Sequence, residues 1–84
     1  MRTVICEDAV TRVLDQARPQ HPQLGDLWDA LEWRIAKRPE TGVPVTAQFY
    51  VYRQHRVKNE HPDLVILYEF DDHSVTIYTL RIIP

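Results

Sequence analysis

The sequence predicts one α+β domain spanning residues 1–84, with a helical hairpin packed on an antiparallel sheet of three to four strands. Three observations predict it. Residues 64–83 hold two runs rich in Val, Ile, Leu, Tyr and Phe on either side of the polar turn Asp71-Asp72-His73-Ser74. Such residues favour a pleated, half-buried surface, and Asp and Ser favour turns, so this stretch reads as a β-hairpin. Two earlier stretches repeat apolar residues at helical spacing. Residues 46–56 alternate in the manner of a third strand.

Taken in order, Arg2-Thr3-Val4-Ile5-Cys6 is short, apolar and β-branched, and reads as a first strand. Glu7 and Asp8 follow, and acids suit the first turn of a helix because they oppose its positive end. Val10, Val13, Leu14 and Ala17 fall at i, i+3, i+4 and i+7, one narrow apolar stripe, and Pro19 ends that helix. A second helix is expected to start at His21-Pro22-Gln23-Leu24, with Pro22 in its first turn. Leu24, Leu27, Trp28, Leu31 and Ile35 share one face; the last turn is basic, and Pro39 and Gly42 stop the helix. The short link between the helices predicts an antiparallel αα-hairpin.

From Thr46 to about Arg56, Phe49, Val51, Arg53 and His55 alternate with Tyr50, Tyr52, Gln54 and Arg56. Val57 to Asp63 is a polar connector. In the terminal hairpin, Leu64, Ile66, Tyr68 and Phe70 point one way, and Val65 and Leu67 the other. A hairpin apolar on both faces does not stand alone in water. The helices cover one face; the other is left for a partner. The order is β-α-α-β-β-β, and the last three strands form a meander.

Bulk properties narrow the function classes. A chain of 84 residues buries only roughly 60–65% of its unfolded surface, so its stability is modest. A net charge of −2 argues against a strongly basic nucleic-acid binder but leaves room for a local basic patch. The single cysteine, Cys6, forms no intrachain disulfide and reads as a small buried hydrophobe. His21, His55, His61 and His73 lack close metal-ligand spacing, so no metal site and no cofactor are expected. No secretory segment and no membrane span are expected, which points to a reduced, cytoplasmic protein. Trp28 belongs to the core, whereas Trp33 lies on another helix face and is a contact candidate.

The order of elements, the helix ending Arg38-Pro39-Glu40-Thr41-Gly42, and the run from Leu64 to Tyr78 with its Ile66-Leu67-Tyr68-Glu69-Phe70-Asp71-Asp72 core resemble the RelE/ParE superfamily of toxins from type II toxin–antitoxin systems. The resemblance covers most of the chain, through motifs that are mainly structural. It implies a small toxin whose partner is a cognate antitoxin protein. RelE-like members inhibit translation by cutting mRNA on the ribosome without a metal; ParE-like members instead inhibit DNA gyrase and are not enzymes. A catalytically inert homologue that only binds its antitoxin is the third form.

Metal-free RNA cleavage needs a base for the ribose 2′-OH, cations for the phosphate, and an acid for the leaving oxygen. Arg suits the second role because its planar fork grips phosphate. Under the RelE-like reading, Arg53, His55 and Arg81 are the catalytic candidates, with Arg56 and Lys58 binding RNA. His55 serves as acid or base. Arg53 and His55 share a strand face, with Arg56 on the opposite one if the strand stays regular. Arg81, on the face of Val75, Ile77 and Thr79, matches in position the strand-borne arginine of RelE-like enzymes. Arg53, Arg56 and Lys58 also suit a solvated strand end, and Arg81 also suits covering a sheet edge or pairing with an acid. RelE-like ribonucleases tend to be strongly basic, and this chain is not; a ParE-like inhibitor, whose target is a protein, faces no such demand.

Overall fold

The computed structural model describes residues 1–56 and 62–83. Its elements are β1 (Thr3–Cys6), α1 (Asp8–Ala17), α2 (Leu24–Lys37), β2 (Val43–Pro44), β3 (Tyr50–Gln54), β4 (Asp63–Phe70) and β5 (Ser74–Ile83), with 3₁₀ turns at Arg18–Gln20 and Pro39–Thr41. The strands make one sheet in the order β1-β5-β4-β3-β2. The α+β class holds, and β3, β4 and β5 form the expected antiparallel meander. The sheet is nevertheless five-stranded and mixed rather than antiparallel with three to four strands. β1 runs parallel to β5, with Val4 opposite Val75 and Cys6 opposite Ile77. Parallel pairing requires a long connection between the two strands, and the intervening helices and meander supply it. β2 is a two-residue addition, held antiparallel to β3 by Val43 opposite Val51.

Both helices bury the stripes that their sequence spacing defines. Val10 and Leu14 of α1 are buried, with Val13 and Ala17 packed beside them; α1 lies along β5. α2 begins at Leu24, two residues after Pro22, and buries Leu24, Trp28, Leu31 and Ile35. These meet Leu64, Ile66 and Tyr68 of β4 and Val75, Ile77 and Leu80 of β5 in one core. Full burial of a side chain of this kind contributes about 1.5–3 kcal/mol. Trp28 is 3% exposed and Trp33 is 54% exposed, as their positions on the helix require. The Arg34 guanidinium donates to the Tyr52 hydroxyl at 2.6 Å, tying α2 to β3.

β3 is shorter than the alternation suggests. Residues 46–49 form the turn of the β2–β3 hairpin, in which the Thr46 hydroxyl accepts the Gln48 and Phe49 amides at 3.1 and 3.0 Å. A hydroxyl that captures backbone donors in this way competes with strand pairing.

The pairing of β4 with β5 contains one irregularity. Leu67 pairs with Thr79 but Tyr68 pairs with Ile77, so Tyr78 is the extra residue of a β-bulge. A bulge shifts the alternation of everything beyond it. Before it, Val75 and Ile77 are buried; after it, Leu80 is buried and Arg81 is exposed. Arg81 therefore does not share a face with Val75 and Ile77, as strict alternation predicts. It emerges with Thr79 on the opposite, uncovered face.

Two local devices fix the frame. The fully buried Tyr68 donates its hydroxyl to the Pro39 carbonyl, locking the end of α2 onto the middle of the sheet. Burial pushes the Tyr68 phenol up to about 12, partly opposed by the Gly42 amide. A Cβ at residue 42 would collide with this ring and with the Val51 carbonyl, so glycine is required there by close approach. At the β4–β5 turn, Asp71 Oδ1 accepts the His73 and Ser74 amides at 2.7 and 2.8 Å.

The Gly42→Ala variant is expected to lose about 1–3 kcal/mol, because the buried ring has nowhere to move; urea unfolding measures this, and an unchanged midpoint refutes the close-packing account. The Asp71 carboxyl is held below its usual range, chiefly by the His73 amide and then by the Ser74 amide. A depressed folded-state pKa contributes stability that is present above the unfolded value and lost as pH falls through the folded one. The Asp71→Asn variant should therefore melt lower than the parent at neutral pH. The gap should close on acidification below about pH 4, and a gap independent of pH would contradict the charge-based account.

Candidate functional site

The sheet face turned away from the helices carries the candidate residues. In β4 the outward residues are Asp63, Val65, Leu67 and Glu69, since Leu64, Ile66 and Tyr68 face the core. Register then places Arg53 of β3 and Arg81 of β5 on either side of Val65 in one cross-strand row. Both arginines are exposed. Their Cα atoms are separated by two strand spacings, about 10 Å. Long flexible stems let two guanidinium groups at this distance reach a common anion.

Asp63 lies at the start of β4, next to this row. The Arg53 guanidinium donates to Asp63 Oδ2 at 2.9 Å. The Arg56 backbone amide donates to Asp63 Oδ1 at 2.7 Å, and Arg56 Nε lies 3.7 Å from the same oxygen. The hydrogen bond from Arg53, then that from the Arg56 amide, holds the Asp63 carboxyl below its ordinary range. Arg53 and Arg56 thus converge on one carboxylate, although regular alternation assigns them to opposite faces. The reason is that β3 ends at Gln54, and the chain beyond it turns to the Asp63 oxygen. His55 is exposed just past the end of β3, and its carbonyl accepts the Gln54 amide at 3.3 Å. Lys58 and His61 lie outside the described residues.

The other end of the uncovered face is aromatic. The Phe49 ring meets Tyr78 edge-on, with centroids 5.6 Å apart. Tyr78 stands at the bulge and donates its hydroxyl to Glu69, which also accepts the Gln48 amide. The bond from Tyr78, then that from Gln48, lowers the Glu69 pKa, and the same bond raises that of Tyr78. The face therefore runs from an apolar, hydrogen-bonded end to a cationic end around Val65.

Elsewhere the chemistry is quiet. Cys6 is half-buried with its Sγ 3.7 Å from Glu32 Oε1. Burial first, then the Glu32 charge, pushes its thiol up to about 11, so it stays protonated at neutral pH and is a poor nucleophile. Glu32 also accepts the Trp28 indole N–H. Among the described residues, no three His, Cys, Asp or Glu side chains converge as metal ligands. No described helix is long and apolar enough to cross a membrane. A shallow groove of about 550 Å³ runs beside the N-terminus, lined by Met1, Arg2, Trp33, Ala36, Lys37 and His73 among others, with Lys37 Nζ 4.6 Å over the Trp33 ring.

Comparison with known proteins identifies no matching family model and no matching curated protein.

Asp63 and the Glu69–Tyr78 pair are the participants that sequence reasoning misses. Asp63 sits ten residues from Arg53, and only the β3–β4 register, which no local pattern encodes, brings the two together.

Proposed function

We propose that this chain is the toxin component of a type II toxin–antitoxin pair, of the RelE-like kind, which inhibits translation by cutting mRNA without a metal. The observation that supports this most is the row Arg53–Val65–Arg81 on an uncovered sheet face, with the Arg56 guanidinium nearby. An RNA backbone laid across Val65 meets a cation on each side. Guanidinium groups there would bind the ground-state phosphate and bind more strongly the extra charge that builds during attack of the 2′-oxygen. His55, exposed beside Arg53 and Arg56 in the chain, is the group suited to carry the proton. The antitoxin is the natural cover for the half-buried apolar residues of the uncovered face, Val51, Val65 and Leu67, and for the exposed Ile5 at its β1 end.

Two observations favour a second reading. Asp63 already engages Arg53 and Arg56, and the chain's net charge is −2, so its long-range attraction for RNA is weak. A ParE-like inhibitor of DNA gyrase, or an inert homologue that only binds its antitoxin, has no need of strong attraction to RNA.

The readings separate in a translating extract. Under the ribonuclease reading the purified chain cuts ribosome-bound mRNA, and Arg53→Glu and Arg81→Glu each reduce cleavage by about 100-fold. Arg81→Glu should keep the parental melting temperature, because its side chain is exposed and makes no ion pair among the described residues, whereas Arg53→Glu breaks the pair with Asp63 and should melt somewhat lower while remaining folded. Intact mRNA together with inhibited gyrase supercoiling would replace this reading with the second one. Full cleavage by the variants would remove Arg53 and Arg81 from the site.

A further inference from the structure

We propose that Asp63 is a tethered occupant of the phosphate site: its carboxylate fills the position that an RNA phosphodiester takes between Arg53 and Arg56, and RNA binds by displacing it. The inference rests on the ribonuclease reading of the uncovered face and adds its regulation.

The geometry is that of an anion site with an anion in it. The two carboxylate oxygens divide their partners: Oδ2 takes the Arg53 guanidinium at 2.9 Å, and Oδ1 takes the Arg56 amide at 2.7 Å with the Arg56 guanidinium at 3.7 Å. Non-bridging phosphate oxygens present the same pair of acceptors to the same donors. The donors stay reachable from solvent, since the Arg53 and Arg56 side chains are 49% and 42% exposed; the carboxylate beneath them is only 16% exposed. An incoming phosphate therefore meets the guanidinium groups from the open side.

The energetics allow exchange. The arginine ends of the pair are open to solvent although the carboxylate is not, and an ion pair in partial contact with water contributes little, so a phosphate that approaches from the open side can replace Asp63. Arg81 adds to the preference. It stands across Val65 from Arg53 and, among the described residues, makes no ion pair with a carboxylate. A phosphodiester that displaces Asp63 gains Arg81 as well, whereas Asp63 is fixed at the edge of the row. Pairing with Asp63 also holds the Arg53 and Arg56 side chains close to one carboxylate in the absence of RNA, so fewer rotamers are lost when RNA arrives.

Two effects of Asp63 then oppose each other, and their balance is measurable. As a competitor it weakens RNA binding; as an orienting group alone it would strengthen it. The Asp63→Asn variant removes the charge but keeps an oxygen able to accept the Arg56 amide. Asp29→Asn, on the exposed face of α2, makes the same change in net charge away from the site.

The test is the affinity of the parent, Asp63→Asn and Asp29→Asn for a labelled single-stranded oligouridine of about ten nucleotides at low salt, with the melting temperature of each recorded. The expected result is binding by all three, tighter for Asp63→Asn by about two- to fivefold and nearly unchanged for Asp29→Asn. Equal gains in the two variants would mean a bulk charge effect and overturn the proposal. Weaker binding by a folded Asp63→Asn protein would make Asp63 an orienting group and also overturn it, with the ribonuclease reading left standing. Absence of binding by all three folded proteins would overturn both.

Discussion

Leu64, Ile66 and Tyr68 of β4 are withdrawn completely from water against the two helices, and that burial constrains nearly everything else on the sheet. A strand has a side-chain period of two. Once these three face the core, Asp63, Val65, Leu67 and Glu69 must face the other way. A slip of one residue would expose the whole inner set, so the register is held firmly. The register in turn carries Arg53 to one side of Val65 and Arg81 to the other. The cationic row is thus a by-product of core packing, and needs no contact of its own to be positioned.

The bulge at Tyr78 is what lets β5 satisfy two demands. Val75 and Ile77 face the core near the turn, and Leu80 faces it near the end. No regular strand puts residues 75, 77 and 80 on one side. The extra residue reconciles them and sends Arg81 outward. It also turns Tyr78 onto the uncovered face, where its hydroxyl finds Glu69 and its ring meets Phe49. Bulges often re-aim side chains in this way, and here one bulge shapes both the aromatic end and the cationic end of the same surface.

These features differ in how far the sequence reveals them. The helix stripes were readable because Val10 and Leu14, and Leu24, Trp28, Leu31 and Ile35, repeat at a period that only a helix satisfies. The two faces of β4 were readable from strict alternation. The facing of Arg81 was not, because Ile82 and Ile83 are both apolar and hide the change of parity after Tyr78. The parallel pairing of β1 was not, because four residues carry no information about which distant strand they will meet. The convergence of Arg53 and Arg56 on Asp63 depends on the register of β3 with β4 and on where β3 stops. Local propensity therefore predicts the elements and the core, while the site is assembled by long-range pairing.

The proposed meeting place of RNA with this protein is the row around Val65. Backbone amide chemical shifts recorded during titration with a short single-stranded RNA test it most directly. The account predicts shifts concentrated at Arg53, Arg56, Asp63, Val65 and Arg81, with little change in α1 and α2. Shifts concentrated instead around Trp33 and the N-terminal groove, with the Val65 row silent, would contradict it.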